Sequence, residues 1–411
     1  MKKAILLFLL LPALAFAQDK GMKFEHGLSW KDIQAKAKAE KKYIFMDCYT
    51  TWCGPCKQMS ANVFPLPEVG KFYNADFINV KVQLDTTAAD AEDIKKWYQD
   101  GHDIAAKYNV NVYPTYLFFD PNGNLVHRAV GSSEPDVFVR KGKDALNPEK
   151  QYYTLLNKYN AGEKAPAFVR NVALAALEAY DMKNATAVSN AYLASQTDLY
   201  TKENIEFLSK FTSSSKDKGF AVMMEHPEKV DAVLGKGKAD QRVMAILIQE
   251  KVYPVVLKRN APLPNFDSLK TALVAAYPKY GEEATAKGKV IYYQSKKDWN
   301  NFQHEIVAYM SKYGEKADAA ELNSYAWTVF ENCKDMTCVS EALDWSKRSF
   351  KDKDNYMYMD TYANILHKLG KTKEAIEWQT KAMNLAPDGE KKTYQETLDK
   401  MKKGEKTWTD K

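Results

Sequence analysis

Two cysteines with two residues between them, in Trp52-Cys53-Gly54-Pro55-Cys56-Lys57, are the residues of this sequence best placed to do chemistry. An apolar run, Tyr43 to Met46, leads into them with β-type composition, and a helical pattern of Cys56, Met59 and Val63 leaves them. The pair is therefore expected at a strand-to-helix corner, with Cys53 at the helix N-terminus. Unpaired N–H groups and the helix dipole favour an anion there, so the Cys53 thiol should ionise more readily than a free cysteine. A thiolate is the nucleophile of disulfide exchange. Cys56, one helical turn on, can reach back and close a disulfide, and Pro55 fixes the first turn without removing a needed donor. The spacing supplies both an attacking sulfur and a resolving one.

The elements that must hold this pair carry further polar residues. In the Tyr43 to Tyr49 strand, Ile44, Met46 and Cys48 point one way, and Phe45, Asp47 and Tyr49 the other. Cys48 reads as a small buried apolar residue. Asp47 is different, because a carboxylate in a strand covered on both faces is costly without a partner. Burial should raise its pKa, and a nearby lysine would oppose the rise.

Trp52 to Lys57 resembles the active site of the thioredoxin family residue for residue. The resemblance extends over Phe24 to Leu146 and implies an α/β thioredoxin-like domain at residues 24–147. It gives Asp47 the part of the buried aspartate that moves the proton of the second cysteine, and Lys81, in Phe77 to Val82, the part of that aspartate's partner. Tyr113-Pro114-Thr115 matches the family's cis-proline turn, and Gly131 a glycine near the active-site surface. By the same resemblance Cys53 and Cys56 form a redox-active disulfide, and Trp52, Gly54, Pro55, Tyr113 and Pro114 form the surface on which a substrate strand lies. No cofactor and no metal are implied. An enlarged, helical-patterned stretch from Ala88 to His102 and the Phe64-Pro65-Leu66-Pro67 step resemble the thioredoxin-like domains of periplasmic disulfide-interchange proteins.

Around this domain, Thr115 to Phe119 and Leu125 to Val130 read as a hairpin turned by Asp120-Pro121-Asn122-Gly123. Pro135 to Leu146 reads as a closing helix, and Trp30 to Ala39 as a first amphipathic one. At the N-terminus, Met1-Lys2-Lys3 precedes an apolar run, Ala4 to Phe16, too short to span a bilayer. With Ala15-Phe16-Ala17 it predicts a signal peptide at residues 1–17 and a periplasmic or secreted protein. The 411-residue chain is 45% hydrophobic, enough for two or three domains. Its formal charge of +6, which losing Lys2 and Lys3 would lower by two, is spread thinly and argues against a nucleic-acid partner.

After Pro148 strand-like alternation disappears and helical segments follow one another: Pro166 to Tyr180, Ala185 to Ala194, Lys202 to Phe211, Gln241 to Leu257, Asp267 to Tyr277 and Asn300 to Tyr313. An all-α region is expected over 148–315. Tyr356 to Gly389 resembles a tetratricopeptide unit, with Tyr362-Ala363, Gly370, Ala375, Ala382 and Pro387, and a second copy shows in Tyr325-Ala326 and Ala342, giving repeats over 316–400. The Ala326 to Ala342 interval exceeds Ala363 to Ala375 by four residues, where Cys333 and Cys338 sit. In an oxidising compartment the expectation is a structural Cys333–Cys338 disulfide stapling a longer turn, with two free thiols or a second redox pair as alternatives. A zinc site using both cysteine pairs is formally possible, but the Trp-Cys-Gly-Pro-Cys setting accounts for the first pair without metal.

Together these readings make an exported thiol-disulfide oxidoreductase acting on protein disulfides through Cys53 and Cys56, with helical repeats that recruit a partner the sequence does not name. A membrane-bound reductase would supply its electrons, since no flavin motif is present. The competing reading is a binding scaffold whose thioredoxin-like domain is a protein-interaction module.

Overall fold

The computed structural model describes residues 21–259 and 262–409. The expected signal peptide at 1–17 lies outside the described residues. Among the described residues no helix is long and apolar enough to cross a membrane. The chain divides into two compact units, Met1–Leu199 and Tyr200–Lys411.

In the first unit the strands are β1 (Tyr43–Tyr49), β2 (Phe77–Gln83), β3 (Thr115–Phe119) and β4 (Leu125–Val130). They form one sheet in the order β2-β1-β3-β4, in which β1 pairs parallel with β2 and antiparallel with β3. Helices α1 (Trp30–Glu40), α2 (Gly54–Asn62), α3 (Pro67–Asp76), α4 (Glu92–Lys95), α5 (Tyr98–Lys107) and α6 (Pro135–Leu146) surround it. The bounds of β1, β3, β4 and α6 are those the sequence predicts.

The strand parity sorts the core into two layers. Ile44, Met46 and Cys48 of β1 pack with Ile33 and Ala37 of α1 and Ile104 of α5. Phe45 packs on the other face with Met59 of α2, Tyr73 of α3 and Phe138 of α6. Phe45, Tyr73, Tyr116 and Phe138 are all fully buried, each contributing about 1.5–3 kcal/mol by leaving water. Asp47 lies on this second face, in register with Lys81 on β2 and Tyr116 on β3. The enlarged stretch before the proline turn is two helices: α4 ends at Lys95, and Trp97, whose Nε1 donates to the Leu28 carbonyl at 2.9 Å, leads into α5.

Helices α7 (Tyr152–Asn160), α8 (Pro166–Glu178) and α9 (Met182–Ala194) belong to the first unit. Tyr152 on α7 is fully buried; its N–H donates to His127 Nδ1 on β4 at 3.1 Å and its hydroxyl to Asp181 at 2.7 Å. These bonds fasten the first helix pair to the edge strand.

The described part of the second unit is helical. It runs through α10 (Lys202–Phe211), α11 (Lys218–Glu225), α12 (Pro227–Leu234), α13 (Lys238–Leu247), α14 (Tyr253–Val256), α15 (Phe266–Ala276), α16 (Gly281–Lys296) and α17 (Trp299–Tyr313). It ends in α18 (Ala319–Asn332), α19 (Met336–Ser349), α20 (Tyr356–Lys368), α21 (Thr372–Leu385) and α22 (Lys391–Lys403). The expected single helix from Gln241 to Leu257 is interrupted by a π-helical turn, Ile248–Val252. Pro254 lacks the N–H that an α-helix would direct to the Glu250 carbonyl, and a widened turn just before it accommodates the loss. Ala363 of α20 and Ala375 of α21 are fully buried together with Met401, and Gly370 turns the chain between the two helices at φ +78°.

The segment around Cys333 differs from expectation. The turn between α18 and α19 is only residues 333–335, as long as the turn at 369–371 between α20 and α21. The four surplus residues extend the helices instead, one beyond Ala326 and three ahead of Ala342. No longer turn needs a staple, and Cys333 and Cys338 are free and buried.

Candidate active site

The site is built where β1 hands over to α2. Cys53 is the N-cap residue of α2, in extended conformation, and its Sγ accepts the Cys56 backbone N–H at 3.1 Å. Pro55 stands in the first turn, where its missing donor removes no helical bond. Cys53 and Cys56 are joined by a disulfide, S–S 2.00 Å. Both half-cystines are 3% exposed, while Gly54 and Pro55 beside them are exposed and Trp52 is 69% exposed. Nothing lies within 4 Å of where a Cβ on Gly54 would stand. The disulfide thus lies just beneath a surface made of its own loop.

The loop ahead of it is tied to the sheet. Thr51 N–H donates to both carboxylate oxygens of Asp85, at 2.9 and 3.1 Å, and its hydroxyl also bonds that carboxylate. Across from it, the Tyr113-Pro114 peptide bond is cis. The Tyr113 ring meets the Trp52 ring edge-on, with centroids 5.7 Å apart. Gly131, at φ +84°, donates its N–H to the Pro114 carbonyl at 2.9 Å, a bond made in a backbone region that favours glycine. Lys141 of α6 donates to the carbonyls of Val130 and Gly131 at 3.1 and 3.0 Å, fixing the same loop from below. Burial lowers the Lys141 pKa to about 8.

Beneath α2 lies a polar pair. Asp47 is 2% exposed, and its Oδ2 is 3.7 Å from Lys81 Nζ. Desolvation pushes its carboxyl up to about 6, with Lys81 opposing the rise. Asp47 Oδ1 is buried and has no hydrogen-bond partner among the described residues. Lys81 Nζ donates to Ser60 Oγ at 2.7 Å and stands 4.8 Å from the Tyr49 ring centre. Ser60 follows Cys56 by four residues on α2, so the two share a helix face. Cys48 is fully buried on the opposite side of the sheet, and burial raises its thiol pKa far above the ordinary value. It takes no part here.

The structure thus sets Tyr113, which precedes cis Pro114, against Trp52 beside the Cys53-Gly54-Pro55-Cys56 loop, and Asp47 beside Lys81, which bonds Ser60 on the helix that carries Cys56. Cys333 and Cys338 belong to the other unit. Ser60, Asp85 with Thr51, and Lys141 were not legible in the sequence. A serine or a lysine on an amphipathic helix carries no local signal that separates it from an ordinary solvated position.

Comparison with known proteins gives the same outline. Residues 30–146 match the family model of a thioredoxin-like domain. The chain is 30% identical over 92 residues to Thioredoxin Asp f 29 of Aspergillus fumigatus, covering 22% of this chain and 68% of that protein. It is 33% identical over 93 residues to the thiol:disulfide interchange protein DsbD of Cronobacter sakazakii, covering 23% of this chain and 14% of that one. Among solved structures, a candidate disulphide-isomerase from Bacteroides thetaiotaomicron shares 34% identity over 32% of this chain and 98% of its own, at a TM-score of 0.26. The chain spans about half or less of the length of several other curated relatives.

Proposed function

The chain belongs to the thioredoxin family, and on that premise we propose that it is an exported thiol-disulfide oxidoreductase that reduces or exchanges disulfides of protein substrates. The observation that carries this reading is the position of Cys53: its sulfur caps α2 and accepts a backbone N–H, which stabilises the thiolate released on reduction. Cys53 thiolate attacks one sulfur of a substrate disulfide, forming a mixed disulfide and expelling the other substrate sulfur. Asp47 takes the proton of Cys56, Lys81 holds Asp47 in place, and Cys56 then attacks Cys53. The substrate leaves with both sulfurs reduced, and the Cys53–Cys56 disulfide remains. Trp52, Gly54, Pro55, Tyr113 and Pro114 form the platform for the substrate chain.

Gly-Pro between the cysteines favours the reducing direction, because it resembles the reducing thioredoxins rather than strongly oxidising catalysts. A membrane-bound reductase is then the electron donor, and the leader at residues 1–17 places the protein in the periplasm or outside the cell. The helical region, as an all-α segment over 148–315 followed by tetratricopeptide-like repeats over 316–400, recruits the substrate-bearing partner.

Insulin reduction by the full chain tests the chemistry. Cys53→Ser abolishes it, and Cys56→Ser accumulates mixed disulfides with substrate proteins; a Cys56→Ser protein that traps none contradicts the mechanism.

A second reading is favoured by a cavity of about 1050 Å³ in the second unit, walled by Tyr280, Tyr309, Tyr313, Lys279, Lys287 and Glu283. In it the protein is mainly a binding scaffold and the thioredoxin-like domain an interaction module. Full retention of partner capture by a Cys53→Ser, Cys56→Ser chain would favour that role.

A further inference from the structure

The reading of Cys53 and Cys56 leaves two thiols unexplained. Cys333 caps the C-terminal end of α18 and Cys338 lies in the first turn of α19. They are 1% and 3% exposed, and neither is in a disulfide. Cys338 Sγ also lies 3.9 Å from the Gln303 carbonyl.

The two sulfurs are not equivalent. A cavity of about 200 Å³ has Cys333 in its wall, together with Glu331, Lys334, Met336, Lys368 and Trp408, whereas Cys338 is not part of that wall. Of these, Glu331, Lys334 and Met336 are exposed. Lys368 Nζ donates to the Cys333 carbonyl at 2.9 Å and to the Phe330 carbonyl, which sets its charge beside Cys333. The neighbouring Cys338 thiol and this charge lower the Cys333 pKa, and the Cys333 sulfur raises that of Cys338. Cys333 therefore borders a cavity with a lysine beside it, and Cys338 lies near it but outside that wall.

We propose that Cys333 and Cys338 are a second dithiol site, one that reduces low-molecular-weight disulfides bearing carboxylates, with Cys333 as nucleophile and Cys338 as resolving thiol. The cavity is smaller than the ~300–1,000 Å³ of sites for drug-sized ligands, which selects a small disulfide over a folded protein. Two lysines against one glutamate on its wall favour an anionic ligand. Cys333 thiolate attacks one sulfur of the small disulfide, forming a mixed disulfide and releasing one small thiol, which takes up a proton. Cys338 loses its proton to solvent and attacks the Cys333 sulfur, releasing the second small thiol. Two protein thiols are oxidised to one disulfide and one small disulfide is reduced to two thiols, so electrons and protons balance.

The test uses the full chain with Cys53→Ser and Cys56→Ser, so that the first pair is silent, reduced and then exposed to cystine. Intact-mass and peptide mass spectrometry are expected to show loss of two hydrogens and a Cys333–Cys338 cross-link, with Cys48 still a thiol. Adding Cys338→Ser should stop the reaction at one cysteinyl group on Cys333. A pair that stays reduced in cystine, or a cysteinyl group found on Cys338 instead, overturns the proposal. A second measurement needs no substitution in this unit: limiting iodoacetamide should alkylate Cys333 ahead of Cys338 in the reduced protein. Equal or reversed labelling, or labelling only after denaturation, contradicts it.

Discussion

At the scale of single residues, Asp47 is a buried carboxyl whose titration is displaced by the fold. Its folded pKa of about 6 lies above the ordinary value of 3.8 because burial disfavours the charged form. The folded state therefore binds this proton more readily than the unfolded chain does. The sign follows: the stabilising, protonated form is present at low pH, and its contribution is lost as pH rises through about 6. Asp47→Asn, which cannot ionise, is expected to be more stable than the parent at pH 7.5 by roughly 1–3 kcal/mol, with the gap shrinking toward pH 4. Urea unfolding at both pH values measures this, and a less stable variant at pH 7.5 would refute it. On the proposed mechanism, in which Asp47 accepts the Cys56 proton, the same substitution should slow release of the mixed disulfide by roughly 100-fold. The position of Asp47 was legible in the sequence from strand parity and the family resemblance. Ser60 and Lys141 were not, since their roles depend on partners distant in the chain.

At the scale of elements, the strands and helices nearest the dithiol could be read directly, because alternation, capping and the Asp120-to-Gly123 turn are local signals. What could not be read was how α7 joins β4. His127 is 2% exposed, and its Nδ1 accepts the Tyr152 N–H, a role open only to neutral imidazole. Burial lowers its pKa to about 4. The unfolded chain then takes up a proton between about pH 6.5 and 4 that the folded state refuses, so stability falls as pH drops through that window. The loss attributable to His127 is on the order of 3 kcal/mol. Subtracting the stability of His127→Gln from that of the parent, pH by pH, isolates it from Asp47 and from Asp360, whose buried carboxyl is likewise raised to about 6. A difference that does not change between pH 7 and pH 4 would rule out a neutral, buried His127.

At the scale of the whole molecule, composition divided the chain near Pro148, whereas the compact units meet at Leu199 and Tyr200. The change from alternating to helical periodicity marks where the sheet ends, and it is blind to which helices pack back onto the sheet. Tyr152 and Leu155 are buried in the first unit, and a chain ending at residue 147 lacks both. Removing a large buried aromatic costs about 3–5 kcal/mol, so a fragment of residues 21–147 is expected to melt roughly 10 °C below one of residues 21–199. Differential scanning calorimetry on the two compares them directly, and equal melting temperatures would show that α7 to α9 do not support the sheet. Insulin reduction should survive in the longer fragment, because every residue placed at the dithiol lies within it. The Cys333 segment carries a related lesson: a surplus of four residues between repeat landmarks looks like a longer turn in sequence, yet it is also close to one turn of helix, and the helices took it up.

The central claim is that Cys53 is the poised nucleophile, and the pH dependence of its alkylation tests it most directly. In the reduced Cys56→Ser chain, the rate of iodoacetamide labelling at Cys53 should rise to its plateau well below the ordinary thiol pKa of about 8.5. A rate that rises only around or above that value would contradict the account.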